Sequence, residues 1–535
     1  LAALQRTSVG EVPAAWLTVT VTAVLAVGYL RWTPPVPDLL AQVARAGVAA
    51  RAGDVSWWTG WFGGLSLPTY SVLVPPWMAS IGAPATGAIA AVLGAVGGAV
   101  LMRQAPRPRL GSVAYAVASM ADLLAGRVTF AVGLAIGTWA LVAIRSRRPA
   151  LAMALAAAAY LASPLAGLFV GLVLLAVMVF DRTRRRVAIT AAAVLVLLGA
   201  GMSVLFPGTG VMPITVMDLI PTGIACGVIA LGCRTPMVRR TAILTGLALP
   251  VVLIFPGAVG SNITRLAWVC AVPVFCGYSN LSRRWFAAAG TMIAVWPVAD
   301  LASQVQASAD PSTRAAYYVP LVDAVRKEQA LAGPRAVGQR IEAVETVSHG
   351  ADAYLAPSIA LARGWDRQAD RAYNTLFYAR NALTADSYHA WLQELAVGWV
   401  ALPRAPLDYA AAAEGALIHA GLPYLSPTWR STDWTLYRVT DAEPLADGAQ
   451  IQAVGDSSVT LKSRAPSVVR LRLRWSPYFV LIDPATGRPD PAACTADHGG
   501  WTTAYLPRDG TFQLVSRFDI RAQWAATKPT CPPRK

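Results

Sequence analysis

The sequence predicts a polytopic α-helical membrane protein of about eleven transmembrane helices with a C-terminal extracytoplasmic α/β plus β-sandwich region. Two observations carry this. The first is a compositional break. Residues 1–301 hold 21 Arg, no Lys and 7 acidic residues, whereas residues 302–535 hold 24 basic and 22 acidic residues in an ordinary polar chain. The second is a rhythm in those arginines. Sixteen of the 21 fall at Arg6, Arg103/Arg107/Arg109, Arg145/Arg147/Arg148, Arg182/Arg184/Arg185/Arg186, Arg234/Arg239/Arg240 and Arg283/Arg284, between every second pair of apolar stretches. Cytoplasmic loops of membrane proteins carry the excess of Lys and Arg, so the rhythm assigns a side to every loop. The net charge of +16 therefore reads as topology. No basic patch with interleaved aromatics occurs in the polar half, and a nucleic-acid partner is not expected.

A spanning helix needs about 20 mostly apolar residues. Candidates lie at 13–30, 84–102, 111–125, 128–144, 150–162, 164–180, 187–206, 219–233, 241–256, 265–280 and 285–301. Ser163-Pro164 divides one apolar run into two short helices, because the arginines at 145–148 and 182–186 must share a side. No small-residue cleavage site follows the first stretch, so it reads as a retained helix. With a cytoplasmic N-terminus, eleven spans leave the tail outside the cell, in the plasma membrane's outer compartment. The chain thus divides into a membrane domain at 1–301, an α/β domain at 302–445 and a β-sandwich-like domain at 446–535. In the α/β part, 340–346, 398–402 and 434–439 read as strands, and 388–396 and 410–420 as helices. Farther on, Val469, Leu471, Leu473 and Trp475 alternate with Arg470, Arg472 and Arg474, as on a half-buried strand. No internal repeat is evident.

The outward side collects the polar residues that invite chemistry. After the first helix, Pro34, Pro35 and Pro37 break the chain, and Asp38 opens an amphipathic stretch through Arg51. That stretch is fit to lie in the membrane interface, with Arg45 and Arg51 toward anionic headgroups and Trp57, Trp58, Trp61 and Phe62 in the headgroup belt. Asp38 is a carboxylate at the outer surface. It is also a favoured helix N-cap, and the two roles are compatible. Arg127 and Arg265 are outward arginines at helix starts, where a charge is a functional candidate, a snorkelling anchor or the partner of an acid such as Asp122. Tyr70, Asp54, Asp122 and Asn262 also face outward and could hydrogen-bond a polar ligand. Asp54 is a second outward carboxylate beside Asp38, although Gly53 before it favours a turn. Asp218 follows a Gly/Pro-rich bend and reads as structural.

These features resemble the GT-C superfamily of integral-membrane glycosyltransferases, which use sugars carried on polyprenyl phosphate. The resemblance rests on the many-helix core, the acidic residue after the first helix, the flat helix that follows and the extracytoplasmic C-terminal region. The stretches 63–71, 126–130 and 163–167 are similar to stretches in actinobacterial proteins of this type. The chain departs from relatives with a paired carboxylate, since Leu39 follows Asp38. The resemblance implies sugar transfer, arabinofuranose or mannose, from a polyprenyl-phosphate donor to an envelope glycan or glycolipid beside the lipid bilayer. Asp38 would be the general base, and Arg127 and Arg265 would hold the donor phosphate. Tyr70, Asp54, Asp122 and Asn262 would contact substrate. No cofactor is implied; a divalent cation is left open, and no oligomeric state follows.

The remaining motifs are bland. Cys226, Cys233, Cys270 and Cys276 lie in or beside apolar stretches as small core residues, and Cys494 and Cys531 are a candidate disulfide in an external tail. None of the four histidines has metal-ligand spacing. Trp475, Tyr478 and Trp501 could stack on sugars or pack in a core. No phosphate-binding glycine loop and no serine nucleophile elbow occurs, which disfavours an ATP-driven pump and a serine hydrolase. A transporter or flippase of lipid-linked cargo and a non-catalytic envelope-assembly scaffold are the alternatives.

Overall fold

The computed structural model describes residues 12–52, 56–207 and 210–519. Two compact units emerge: residues 1–42 with 69–308, and residues 43–68 with 309–535. The boundary on the N-terminal side falls inside one continuous helix.

The first unit is helical. Its elements are α1 (Val12–Trp32), the first turns of α2 (Pro37–Ala52), α3 (Val74–Ile81), α4 (Ala83–Met102), α5 (Pro108–Leu124), α6 (Val128–Arg145), α7 (Pro149–Ala162), α8 (Pro164–Phe180), α9 (Arg185–Leu205), α10 (Val216–Gly232), α11 (Pro236–Ile254), α12 (Thr264–Tyr278) and α13 (Arg283–Ala307). Each of the eleven apolar stretches is a helix. Six of them, α1, α4, α6, α9, α11 and α13, are long and apolar enough to cross a membrane, and α7, α8 and α10 are shorter apolar helices. Proline starts many of them, at Pro84, Pro108, Pro149, Pro164 and Pro236, where the missing N–H costs nothing. Between α7 and α8, Ser163 accepts from the Ala166 N–H. Asp218 caps α10 with Thr215 in a reciprocal box, so its role is structural as read.

Backbone approach is tight where glycines face each other. A Cβ on Gly111 would stand 2.8 Å from the Gly277 Cα, the small-residue packing that lets apolar helices meet without a hydrophobic driving force. Hydrogen bonds then tie the arginine-bearing loops into one end of the bundle. Arg107 N–H donates to Gly277 O at 3.0 Å, Asn280 N–H to Gly232 O at 2.9 Å, Arg145 to Leu101 O at 2.9 Å and Arg184 to Arg145 O at 3.1 Å. The arginine rhythm of the sequence is thus a spatial cluster of loops.

Among the described residues, the second unit contains three four-stranded sheets. Its elements are α14 (Val319–Ala332), β1 (Arg340–Ala343), α15 (Ala351–Tyr354), α16 (Arg367–Tyr373), α17 (Ala385–Glu394), β2 (Val397–Pro403), α18 (Ala412–His419), β3 (Leu425–Arg430), β4 (Trp434–Val439), β5 (Ala446–Asp447), β6 (Gln450–Val454), β7 (Ser458–Ser463), β8 (Ser467–Arg474), β9 (Phe479–Ile482), β10 (Cys494–His498), β11 (Trp501–Leu506) and β12 (Gly510–Ser516). The first sheet runs β1-β2-β4-β3, with β1 and β2 parallel. The sheets β10-β11-β8-β5 and β6-β7-β12-β9 are antiparallel and enclose one core of Leu461, Val469, Leu471, Ala504, Phe512 and Leu514. That shared core makes them a sandwich.

Several local expectations are corrected here. Trp57, Trp58, Trp61 and Phe62 do not line a headgroup belt; all four are buried in the second unit. Asp456 accepts from Trp58 Nε1 at 3.1 Å, and its carbonyl accepts the Thr59 N–H at 2.8 Å. An aromatic run reads the same from composition whether lipid or protein covers it. Arg51 makes a bidentate pair with Asp456 at 2.7 and 3.0 Å, and Arg45, 2% exposed, pairs with Asp366 at 3.6 Å. Both arginines are thus engaged by carboxylates of the protein, Arg51 with its side chain still 39% exposed. Of the three aromatics that could meet sugars, Tyr478 and Trp501 are buried and Trp475 is half-buried. On β8 the apolar face is internal as read, but Arg472 is buried too, held by Glu443 at 3.2 Å and Asp447 at 2.8 Å.

Candidate functional site

In the first unit, five sequence candidates gather at the end of the bundle opposite the arginine loops. α2 begins at Pro37, so Asp38 lies in its first turn and is not the N-cap. It gains there from the partial positive charge of the helix start. The turn from α5 to α6 is Ala125-Gly126-Arg127, and Gly126 has φ +79°. A Cβ on it would lie 2.3 Å from the Leu39 backbone nitrogen. Glycine therefore lets this turn press on the first turn of α2, which puts Arg127 beside Asp38. Gly126→Ala is expected to destabilise the fold by about 1–2 kcal/mol from the left-handed backbone alone, with the backbone clash added. Thermal unfolding of the purified protein in detergent checks this; an unchanged midpoint would contradict the packing described.

Asp38 Oδ2 sits 3.6 Å from Arg127 Nε and 3.5 Å from Arg265 Nη2. Arg127 Nη1 also reaches Asp122 Oδ1 at 3.3 Å. The four residues form one chain of alternating charge, from Asp122 through Arg127 and Asp38 to Arg265. Asp122 and Arg127 are buried, whereas the Asp38 side chain keeps 24% exposure and that of Arg265 19%. The accessible end of the chain is thus a carboxylate and a guanidinium. The Arg127 guanidinium lies over the Trp268 ring at 4.5 Å, a contact that fixes its plane. Tyr70 OH accepts from Gln42 Nε2 at 3.1 Å and lies within electrostatic reach of Arg265.

Asn262 occupies the 3-10 turn Gly260–Ile263 that leads into α12, just ahead of Arg265. Asp54 lies outside the described residues. Cys494 is disulfide-bonded; Cys531, its expected partner, lies outside the described residues. Cys226, Cys233, Cys270 and Cys276 are free thiols. Two further residues were not found from sequence. Trp268 is one helical turn after Arg265, so it shares that face. Asp300 on α13 lies within electrostatic reach of Arg127, Asp38 and Arg265, and its place near the outward end of the last apolar stretch was the available signal.

An apolar cavity of about 330 Å³ runs inside the same unit. Along α12 it is lined by Leu266, Ala267, Cys270, Ala271 and Val274, beginning at the residue after Arg265. Tyr115 and Leu134 line it and also a small gap that reaches Asp122. The cavity lining is apolar and extends to Leu101, Met102, Met237 and Val238 beside the arginine loops, with none of the four charged residues in it. Comparison with known protein families and with curated proteins finds no match to this chain. What the fold defines is a class: a membrane protein with an apolar helical unit and a β-rich C-terminal region.

Proposed function

We propose that this chain is an inverting GT-C-type glycosyltransferase that moves a sugar, arabinofuranose or mannose, from a polyprenyl-phosphate donor to an envelope glycan or glycolipid. The observation that carries the reading is the convergence of Asp38, Arg127 and Arg265 within 3.6 Å beside an apolar cavity. The donor phosphate lies against the two guanidiniums, which hold phosphate oxygens in a fork and stay charged. The isoprenoid chain occupies the cavity. Asp38 takes the proton from an acceptor hydroxyl as that oxygen attacks the anomeric carbon. The bond from that carbon to the phosphate oxygen breaks, and its electron pair leaves on the lipid phosphate. Charge building there is stabilised by donors already in place. Without donor, the arginines are neutralised by Asp38 and Asp122. An incoming phosphate competes for them and frees the carboxylate to act as base.

Sidedness supports the same reading. The arginine loops meet at one end of the bundle, which the positive-inside rule makes cytoplasmic. The Asp38 end is then extracytoplasmic, all eleven apolar helices span, and the C-terminal region lies outside. The Cys494 disulfide suits an oxidising compartment.

Donor binding tests the proposal. Protein in lipid nanodiscs is titrated with radiolabelled polyprenyl-phosphate arabinose and polyprenyl-phosphate mannose. Arg127→Gln and Arg265→Gln are each expected to weaken binding about 10- to 100-fold, the value of a charged hydrogen bond. Equal binding by both variants and the native chain would contradict it. Saturable binding with no transfer to any acceptor favours the flippase or scaffold alternative.

A further inference from the structure

The second unit holds a buried cluster of charge that the transfer reading does not use. Glu342, Glu345, Asp352, Asp370, Asp408 and Glu414 are all buried. Arg363 and Arg367 contact them directly, and Arg45 acts on Asp352 electrostatically. Arg363 binds Asp370 through two contacts, at 2.6 and 3.1 Å, and reaches Glu414 at 3.4 Å and Glu345 at 3.6 Å. Arg367 grips Asp408 at 2.9 and 3.1 Å. Glu342 is left with both carboxylate oxygens buried and without a hydrogen-bond partner. A buried carboxylate either holds its proton or meets a cation.

His349 shows where a cation fits. Its backbone has φ +51°, a conformation uncommon for a residue with a Cβ, and its ring stacks on Trp365 at 3.7 Å. Nε2 faces Asp408 Oδ2 at 3.4 Å, and Asp408 is held in turn by Arg367 and the Ala410 N–H. Nδ1 points the other way, to Glu345 Oε2 at 3.6 Å and Asp352 Oδ2 at 3.9 Å. Both Nδ1 and Glu345 Oε2 are buried without a hydrogen-bond partner. They border a cavity of about 10 Å³, also lined by Glu342, Asp352 and Arg363. That is room for a single water-sized occupant.

We propose that this cavity is a site for one divalent transition-metal ion of the zinc class, ligated by His349 Nδ1, Glu345 and Asp352. Ligand atoms about 2.0–2.1 Å from a tetrahedral zinc stand about 3.3–3.5 Å apart, against 3.6 Å from Nδ1 to Glu345 and 3.9 Å from Nδ1 to Asp352. On the Nε2 side, Asp408 brings a further carboxylate oxygen to within 4.8 Å of the ligand atoms of Glu345 and His349. Asp408 acts from behind: as an acceptor at Nε2 it fixes the tautomer that leaves Nδ1 free to ligate, the usual partnership of a metal-binding histidine and a carboxylate. Glu342 lines the same cavity. The imidazole nitrogen favours zinc over calcium and magnesium, which prefer all-oxygen sites. The site is closed, so its role is to tie the end of β1 to α15 and to stabilise the fold. It is independent of the transfer chemistry.

The test uses the full-length protein, purified in detergent and analysed for metals by mass spectrometry. The native chain is expected to carry about one zinc per chain. Dialysis against a chelator should remove it and lower the melting midpoint, and zinc chloride should restore both. His349→Ala and Glu345→Gln should abolish stoichiometric zinc, while His389→Ala, at a half-exposed histidine paired with Asp441, should keep it. The native-chain measurement stands even if a variant fails to fold. A native chain that is metal-free as purified and whose midpoint is unmoved by added zinc or manganese would overturn the proposal, as would stoichiometric calcium or magnesium in place of zinc.

Discussion

Asp38→Asn is expected to lower the turnover number for sugar transfer about 10²- to 10⁴-fold, the usual contribution of a general base, with little change in KM for the donor. Asparagine keeps the shape of the side chain but cannot take the acceptor proton. It also removes the carboxylate that neutralises Arg127 and Arg265 at 3.6 and 3.5 Å. Donor phosphate then meets two guanidiniums with one competitor fewer, so binding should hold or tighten. This split between turnover and binding separates a base from a structural partner. Loss of a purely structural ion pair would disturb both together, along with the melting midpoint. Steady-state kinetics with labelled donor and a measured midpoint for each protein make the comparison. Native turnover in Asp38→Asn would move the base elsewhere, to Asp54 or Asp300.

The largest stability effect is expected at Arg363. Its guanidinium lies among Asp370, Glu345 and Glu414 and over the Phe377 ring at 4.1 Å. Burial pushes the Glu414 carboxyl up to about 7, with Arg363 opposing. It pushes Glu342 well above the ordinary range, with Glu414 adding to the effect. Asp370 is different: burial would raise it, but Arg363 together with hydrogen bonds from Tyr378 and Asn374 holds it below the ordinary range. Arg363→Met keeps much of the side-chain volume and removes the charge that Asp370, Glu345 and Glu414 share. Breaking a buried pair from one side costs about 3–5 kcal/mol. Denaturant unfolding followed by tryptophan fluorescence should show that loss. A change below about 1 kcal/mol, as at an exposed pair, would mean the cluster is already neutral.

Much of the membrane unit could be read from sequence because its signals are local. Apolar length, proline at helix starts and the placement of arginines each depend on a few neighbouring residues. Sorting arginines by side singled out Arg127 and Arg265, and the structure brings both to Asp38. What sequence could not give is partners distant along the chain. Trp58 looks lipid-facing until Asp456 is seen beside it. Arg45 looks like a headgroup anchor until it meets Asp366. The Glu345–His349 pair was missed for a different reason. Its residues stand four apart, as on one face of a helix, but the segment is a turn between β1 and α15 with no helical apolar pattern around it, and Asp408 comes from the loop after β2.

The central claim is that one end of the helical unit transfers sugar from a lipid phosphate. The most direct measurement gives purified protein in nanodiscs labelled polyprenyl-phosphate arabinose or mannose with an envelope glycan acceptor, beside Asp38→Asn. A labelled, elongated glycan and released polyprenyl phosphate are expected from the native chain, and both about 10²- to 10⁴-fold more slowly from the variant. Equal product from both proteins, or none from the native chain with donor bound, would contradict it.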